Sequence, residues 1–245
     1  MQYSLIDAAN DFVDLSNNIG LFKKKLCKEF NIFCKEDGVM LITPKDLRFI
    51  TLDTIQQYLL SLVLYIRAFM ELQKRINNSE EFLNILKLGV TKEQIEGEEG
   101  KLGLLYKFPI EALVTMIHFQ IDSYFGQLCE LTNDPTSGFY KRMTKVLKNI
   151  DKKEDYQNTL QCLANFRNSF HNQGIHFIHK KKYVNNIEPE KGTIDRTFVS
   201  NEFKIEFKHK EVIVYNWKSI YLLIKESVEI LEKVIYENSK NIKAF

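Results

Sequence analysis

Residues 45–77 contain neither proline nor glycine, and their apolar residues fall on one helix face. Ile55, Leu59, Leu62, Ile66 and Phe69 step by four and three, and Leu52, Val63 and Met70 widen the stripe. That spacing predicts a long amphipathic helix. Such a helix leaves a wide apolar face that must be covered, so the chain needs other helices of similar length. Pro44, just ahead of the run, marks its start.

Three further stretches supply them. From Pro109, tolerated in a first turn, Ile110, Leu113, Ile117, Ile121, Tyr124, Leu128 and Leu131 share a face. Over residues 153–172, Tyr156, Leu160, Leu163, Phe166 and Phe170 align. Over residues 217–238, Trp217, Tyr221, Ile224, Val228, Leu231 and Ile235 repeat at heptad spacing. Four long amphipathic helices imply a mainly α up-and-down bundle. Residues 4–34 read as two shorter helices divided near Gly20, and residues 79–89 as another between Ser79 and Gly89. Residues 97–103 read as a loop and 133–138 as a turn.

The period changes once. Phe203, Ile205 and Phe207 alternate with Lys204, Glu206 and Lys208, which is the pattern of a strand with one buried face. A turn at residues 208–210 and a return strand over residues 212–215 would make an antiparallel hairpin just before the last helix, with residues 196–200 as an optional third strand. This β insertion occupies about residues 195–216. No repeat or linker divides the chain, which reads as one domain over residues 1–245. Within it, residues 1–104 are N-terminal helices and residues 105–240 a helical core carrying the insertion.

Composition narrows the function classes. The net charge of +2 is far from that of a dedicated nucleic-acid binder, so any such contact must be a local patch. Cys27, Cys34, Cys129 and Cys162 lack the short paired spacing of a zinc site, which predicts buried thiols, no metal and no cofactor. The first fifteen residues carry Asp7, Asp11 and Asp14 and no basic lead, unlike a signal peptide. The longest charge-free apolar run ends at Arg67 and holds two glutamines, too short to span a bilayer. The expectation is a soluble cytoplasmic protein with no membrane partner.

Against this background "FRNSFHNQGIH", residues 166–176, is unusual: it holds two of the five histidines. At about 100° per residue, Arg167 lies only about 40° from Leu163, inside the apolar stripe. An arginine there requires either a carboxylate partner across the bundle or a cleft. His171 lies at the stripe's edge and Asn168 outside it. Gly174 suits a helix stop, which places His176 where the chain turns back.

An arginine, an adjacent polar residue and a following histidine at the end of a bundle helix resemble the signature of the HEPN superfamily. The resemblance covers roughly residues 105–240, and the strands leading into "YNW" resemble an insertion in several bacterial branches. Three residues separate Arg167 from His171 and eight separate it from His176, on either side of the family's usual gap, so both histidines are candidates. The resemblance implies an HEPN-like bundle and a metal-independent endoribonuclease acting through a homodimer in stress, antiphage or toxin-antitoxin biology. It equally accommodates a non-catalytic module that dimerises or binds a partner or nucleic acid. An antitoxin or a nucleotidyltransferase is an implied partner. The implied catalytic set is Arg167, Asn168, His171 and His176. Arginine can grip a phosphate with a two-pronged fork, and histidine can move a proton at neutral pH.

Neighbouring residues add to this set. Lys180, Lys181 and Lys182 can contact a nucleic-acid backbone, or form a solvated loop. Glu111, Thr115, His118 and Asp122 line one face of the second long helix. They read either as a solvent-facing stripe or as a supporting group in which Asp122 or Glu111 pairs with Arg167.

Overall fold

The computed structural model describes residues 3–30, 46–78, 101–133, 135–170, 195–199 and 203–240. Six helices and one two-stranded sheet lie among them: α1 (Leu5–Phe30), α2 (Leu47–Asn78), α3 (Lys101–Leu131), α4 (Phe139–Val146), α5 (Lys153–Phe170), β1 (Arg196–Val199), β2 (Lys204–Phe207) and α6 (Trp217–Ser239). The protein is a helical bundle with a small antiparallel hairpin ahead of its last helix. The helix expected over residues 79–89 lies outside the described residues.

One connected cluster of buried side chains draws on every helix and on the hairpin. α2 contributes Leu52, Ile55, Leu59, Leu62, Val63 and Ile66, the stripe seen in its sequence. Between Leu47 and Lys74 this helix is also long and apolar enough to cross a membrane, by length and composition alone. The sequence reading that stopped at Arg67 was too restrictive. In this fold α2 packs against α1 and α3.

α1 is continuous where a break near Gly20 was expected. A Cβ at Gly20 would lie 3.5 Å from the Gln56 amide nitrogen. Gln56 in turn donates to the Ser16 carbonyl at 2.6 Å. Gly20 therefore admits α2 close to α1 rather than ending the helix. Lys23 and Asp53 form an ion pair across the same seam.

α3 begins at Lys101, within the expected loop, and carries Pro109 inside it. Proline costs a helix one hydrogen bond but does not forbid it when tertiary packing compensates, and Ile110 and Leu113 just beyond are buried. α4 was not expected at all. Gly138 precedes it at φ 87°, a left-handed conformation that suits glycine. Its single buried residue within the helix, Met143, gives too short a periodicity to detect.

The hairpin differs from the expected pairing. β2 pairs with β1, in the register Phe198 to Ile205 and Arg196 to Phe207. The optional third strand is thus the true partner, and residues 213–215 are not a strand. Phe198, Ile205 and Phe207 turn inward. Phe207 meets Phe166 of α5 edge to face, with ring centres 5.1 Å apart. Tyr215 meets Phe166 at 5.6 Å and Phe170 at 6.2 Å. These rings pin the hairpin and the strand-to-helix connection onto the C-terminal half of α5, the half that carries Arg167.

α6 starts on a reciprocal cap: the Ser219 amide donates to the Asn216 side chain at 2.8 Å, and the Asn216 amide to the Ser219 hydroxyl at 3.2 Å. Its far end is tied to the start of α2. Arg48, 2% exposed, holds Asp46 through two hydrogen bonds of 3.0 and 2.6 Å. It also donates to the Ser239 hydroxyl at 3.0 Å. Asp46 accepts the Arg48 backbone amide at 3.0 Å, so one buried pair both caps α2 and anchors α6.

Candidate functional site

Arg167 lies in the last turn of α5. The buried arc of that helix includes Thr159, Cys162 and Ser169 as well as Leu160, Leu163 and Phe166. Counting small and polar residues as core rotates the buried face away from Arg167. The guanidinium is therefore partly exposed at the rim, not in the middle of the packing face.

Its hydrogen bond goes to its own neighbour: Nη1 donates to the Asn168 Oδ1 at 3.0 Å, on the exposed side. Among the described residues no carboxylate pairs with Arg167. Asp122 is held instead by Arg142 of α4, Nη1 to Oδ1 at 2.8 Å. Arg142 also donates to the Thr136 carbonyl at 2.9 Å and lies against Gly126. Glu111, half-buried, is likewise without an ion pair among the described residues, and burial pushes its carboxyl above the ordinary range despite Lys107. The expected pairing of Asp122 or Glu111 with Arg167 is thus replaced by an Asp122–Arg142 bridge that fastens α4 to α3.

α4 also changes the character of the polar stripe on α3. His118, read as solvent-facing, is 7% exposed. Its ring packs on Phe139 at 4.5 Å, and Phe139 stacks in turn on Phe125. Burial, the charge of Arg167 and a smaller opposing effect of Asp122 leave its pKa at about 4, so the ring is neutral. His118 and Arg167, from two helices, therefore belong to one electrostatic neighbourhood. Sequence reasoning named His118 but did not associate it with Arg167, because the helix that covers it had not been recognised.

His171, His176, Lys180, Lys181 and Lys182 lie outside the described residues, as does His179. Among the described residues no cluster of His, Cys, Asp or Glu could hold a metal ion. Cys27, Cys129 and Cys162 are buried, in line with the expected buried thiols.

A concavity of about 390 Å³ opens at the other half of α5, lined in part by Lys152, Asp155, Thr159, Glu226 and Glu229. Thr159 donates to Glu226 there at 2.9 Å. Three carboxylates against one lysine repel a phosphate. The Arg167 end, where a guanidinium faces outward without a carboxylate, is the better place for one. Compared with family models, with curated proteins and with solved structures, the chain matches none.

Proposed function

We propose that this protein is an HEPN-type endoribonuclease that grips the scissile phosphodiester with Arg167 and cleaves RNA without a metal ion. The observation that carries the reading is a partly exposed Arg167 whose guanidinium has no carboxylate partner among the described residues. A structural arginine in that position would be expected to spend its charge on a neighbouring acid. The nearest acid candidate, Asp122, is committed to Arg142.

In the proposed reaction the ribose 2′-oxygen attacks phosphorus as a histidine takes its proton. The bond from phosphorus to the 5′-oxygen breaks, and that oxygen gains a proton. The products are a 2′,3′-cyclic phosphate and a 5′-hydroxyl. Arg167 would hold two phosphate oxygens and offset the charge that builds on them. Asn168, hydrogen-bonded to Arg167, would orient the fork. His171, one residue beyond α5, or His176 would move the proton. Lys180, Lys181 and Lys182 would meet the backbone on either side. The resemblance adds a homodimer to the proposal, with two copies of the motif facing one substrate.

The test is cleavage of single-stranded RNA by the full chain. The proposal expects cyclic-phosphate ends, activity that persists in EDTA, and no cleavage of DNA or of 2′-O-methyl RNA. Arg167→Ala should abolish activity while the protein stays folded, and sedimentation at micromolar concentration should show a dimer. Cleavage of DNA, or activity unchanged in Arg167→Ala, would overturn it.

A further inference from the structure

His118 reaches the Arg167 neighbourhood from α3, independently of the histidines that follow α5. Its ring is fixed against Phe139, and its nitrogens have no hydrogen-bond partner among the described residues. The charges acting on it are Arg167 of α5 and Asp122, one turn along α3. Asp122 is itself neutralised by Arg142 of α4. The described residues of α2 and α6, the other helices packed on α3, add no charge.

A buried imidazole beside an uncompensated guanidinium has no reason to carry a proton. An anion resting on Arg167 changes that. It cancels the repulsion from the guanidinium and brings negative charge toward the ring. We propose that His118 and Arg167 form one phosphate-receiving unit, in which docking of a phosphate-type oxyanion on Arg167 is accompanied by uptake of one proton at His118. This rests on the reading of Arg167 as a phosphate grip and assigns that site a proton-linked partner on another helix. His118 is a positioning residue in this scheme: it acts through Arg167 and the docked anion, and binding at this site should strengthen as pH falls.

The experiment uses the full chain and sulfate, a tetrahedral dianion that does not itself titrate near neutrality. The ring resonances of His118, assigned by their loss in His118→Phe, are followed against pH in chloride and in saturating sulfate. In chloride the ring should stay neutral down to the acid limit of the folded protein. In sulfate its midpoint should rise by about one unit or more, the usual effect of a nearby opposite charge. By linkage, sulfate should then bind about tenfold more tightly below that midpoint than above it. Arg167→Gln should abolish the sulfate effect, and His118→Phe should leave sulfate binding at neutral pH but remove its strengthening on acidification. If Arg167→Gln does not fold, Arg167→Lys should keep the coupling at weaker affinity. Sulfate that binds without moving His118, a shift that persists in Arg167→Gln, or no sulfate binding overturns the proposal. RNA cleavage is scored separately. Coupling without cleavage retains this unit and removes the nuclease reading; cleavage without coupling does the reverse.

Discussion

Two buried titrating groups should make the stability of this protein almost indifferent to pH between about 4.5 and 6.5, and removing either should expose the other. His118 is held at about 4 against an ordinary 6.5, by burial first and Arg167 second. In that interval the unfolded chain takes a proton that the folded chain refuses. Its contribution is present above 6.5 and lost as pH falls toward 4. At about 1.4 kcal/mol per unit the loss is roughly 3 kcal/mol. Glu232 on α6 has the opposite sign. Burial and the neighbouring Glu229 raise it from 4.5 to about 7. The folded state then keeps a proton that the unfolded state gives up, so its contribution is complete below 4.5 and lost as pH rises through 7. Its size is again roughly 3 kcal/mol. The windows overlap and the slopes oppose. Glu232→Gln should therefore lose about 3 kcal/mol of unfolding free energy between pH 7 and 4.5, while His118→Phe should gain a similar amount over the same descent. Urea unfolding followed by circular dichroism at half-unit pH steps, in buffer free of phosphate and sulfate, reads both. Two variants whose profiles run parallel to the parent protein would refute the reasoning.

Three other outcomes follow from the contacts. Arg48→Leu should destabilise by about 3–5 kcal/mol in urea unfolding, because it strands the buried Asp46 carboxylate and frees the Ser239 end of α6. Phe166→Ala should cost about 3–5 kcal/mol and loosen the hairpin, seen as faster amide exchange in β1 and β2, since its ring meets Phe207, Phe170 and Tyr215. Arg167→Ala should change stability by less than about 1 kcal/mol, as expected for a rim guanidinium with no buried carboxylate to strand.

The long helices were legible in the sequence because each buries a stripe at its own helical spacing. Ile55 to Phe69 in α2, Ile110 to Leu128 in α3 and Trp217 to Ile235 in α6 all turn inward as that spacing implies. Arg167 was legible too, since an arginine near an apolar stripe is a local contradiction of the pattern. The alternation of Phe203, Ile205 and Phe207 announced a strand, but alternation says which face is buried and not which neighbour is paired. Its partner β1 was settled by the rings of Phe166 and Phe198 around Phe207.

Tertiary structure alone decided the rest. Gly20 and Pro109 read as breaks, yet close packing of α2 on α1 and burial beyond Pro109 carry both helices through. α4 is too short to show a period, and with it went the fate of His118 and Asp122: one is covered by Phe139, the other is claimed by Arg142. Whether Arg167 had a carboxylate partner depended on which acid another helix would capture. Sequence periodicity sets which residues of a helix must be buried, because that is a property of one helix. What a polar group at the edge of that face will meet is a property of two or three helices at once, and here it took the arrangement of α3, α4 and α5 to leave Arg167 facing outward beside a buried, neutral histidine.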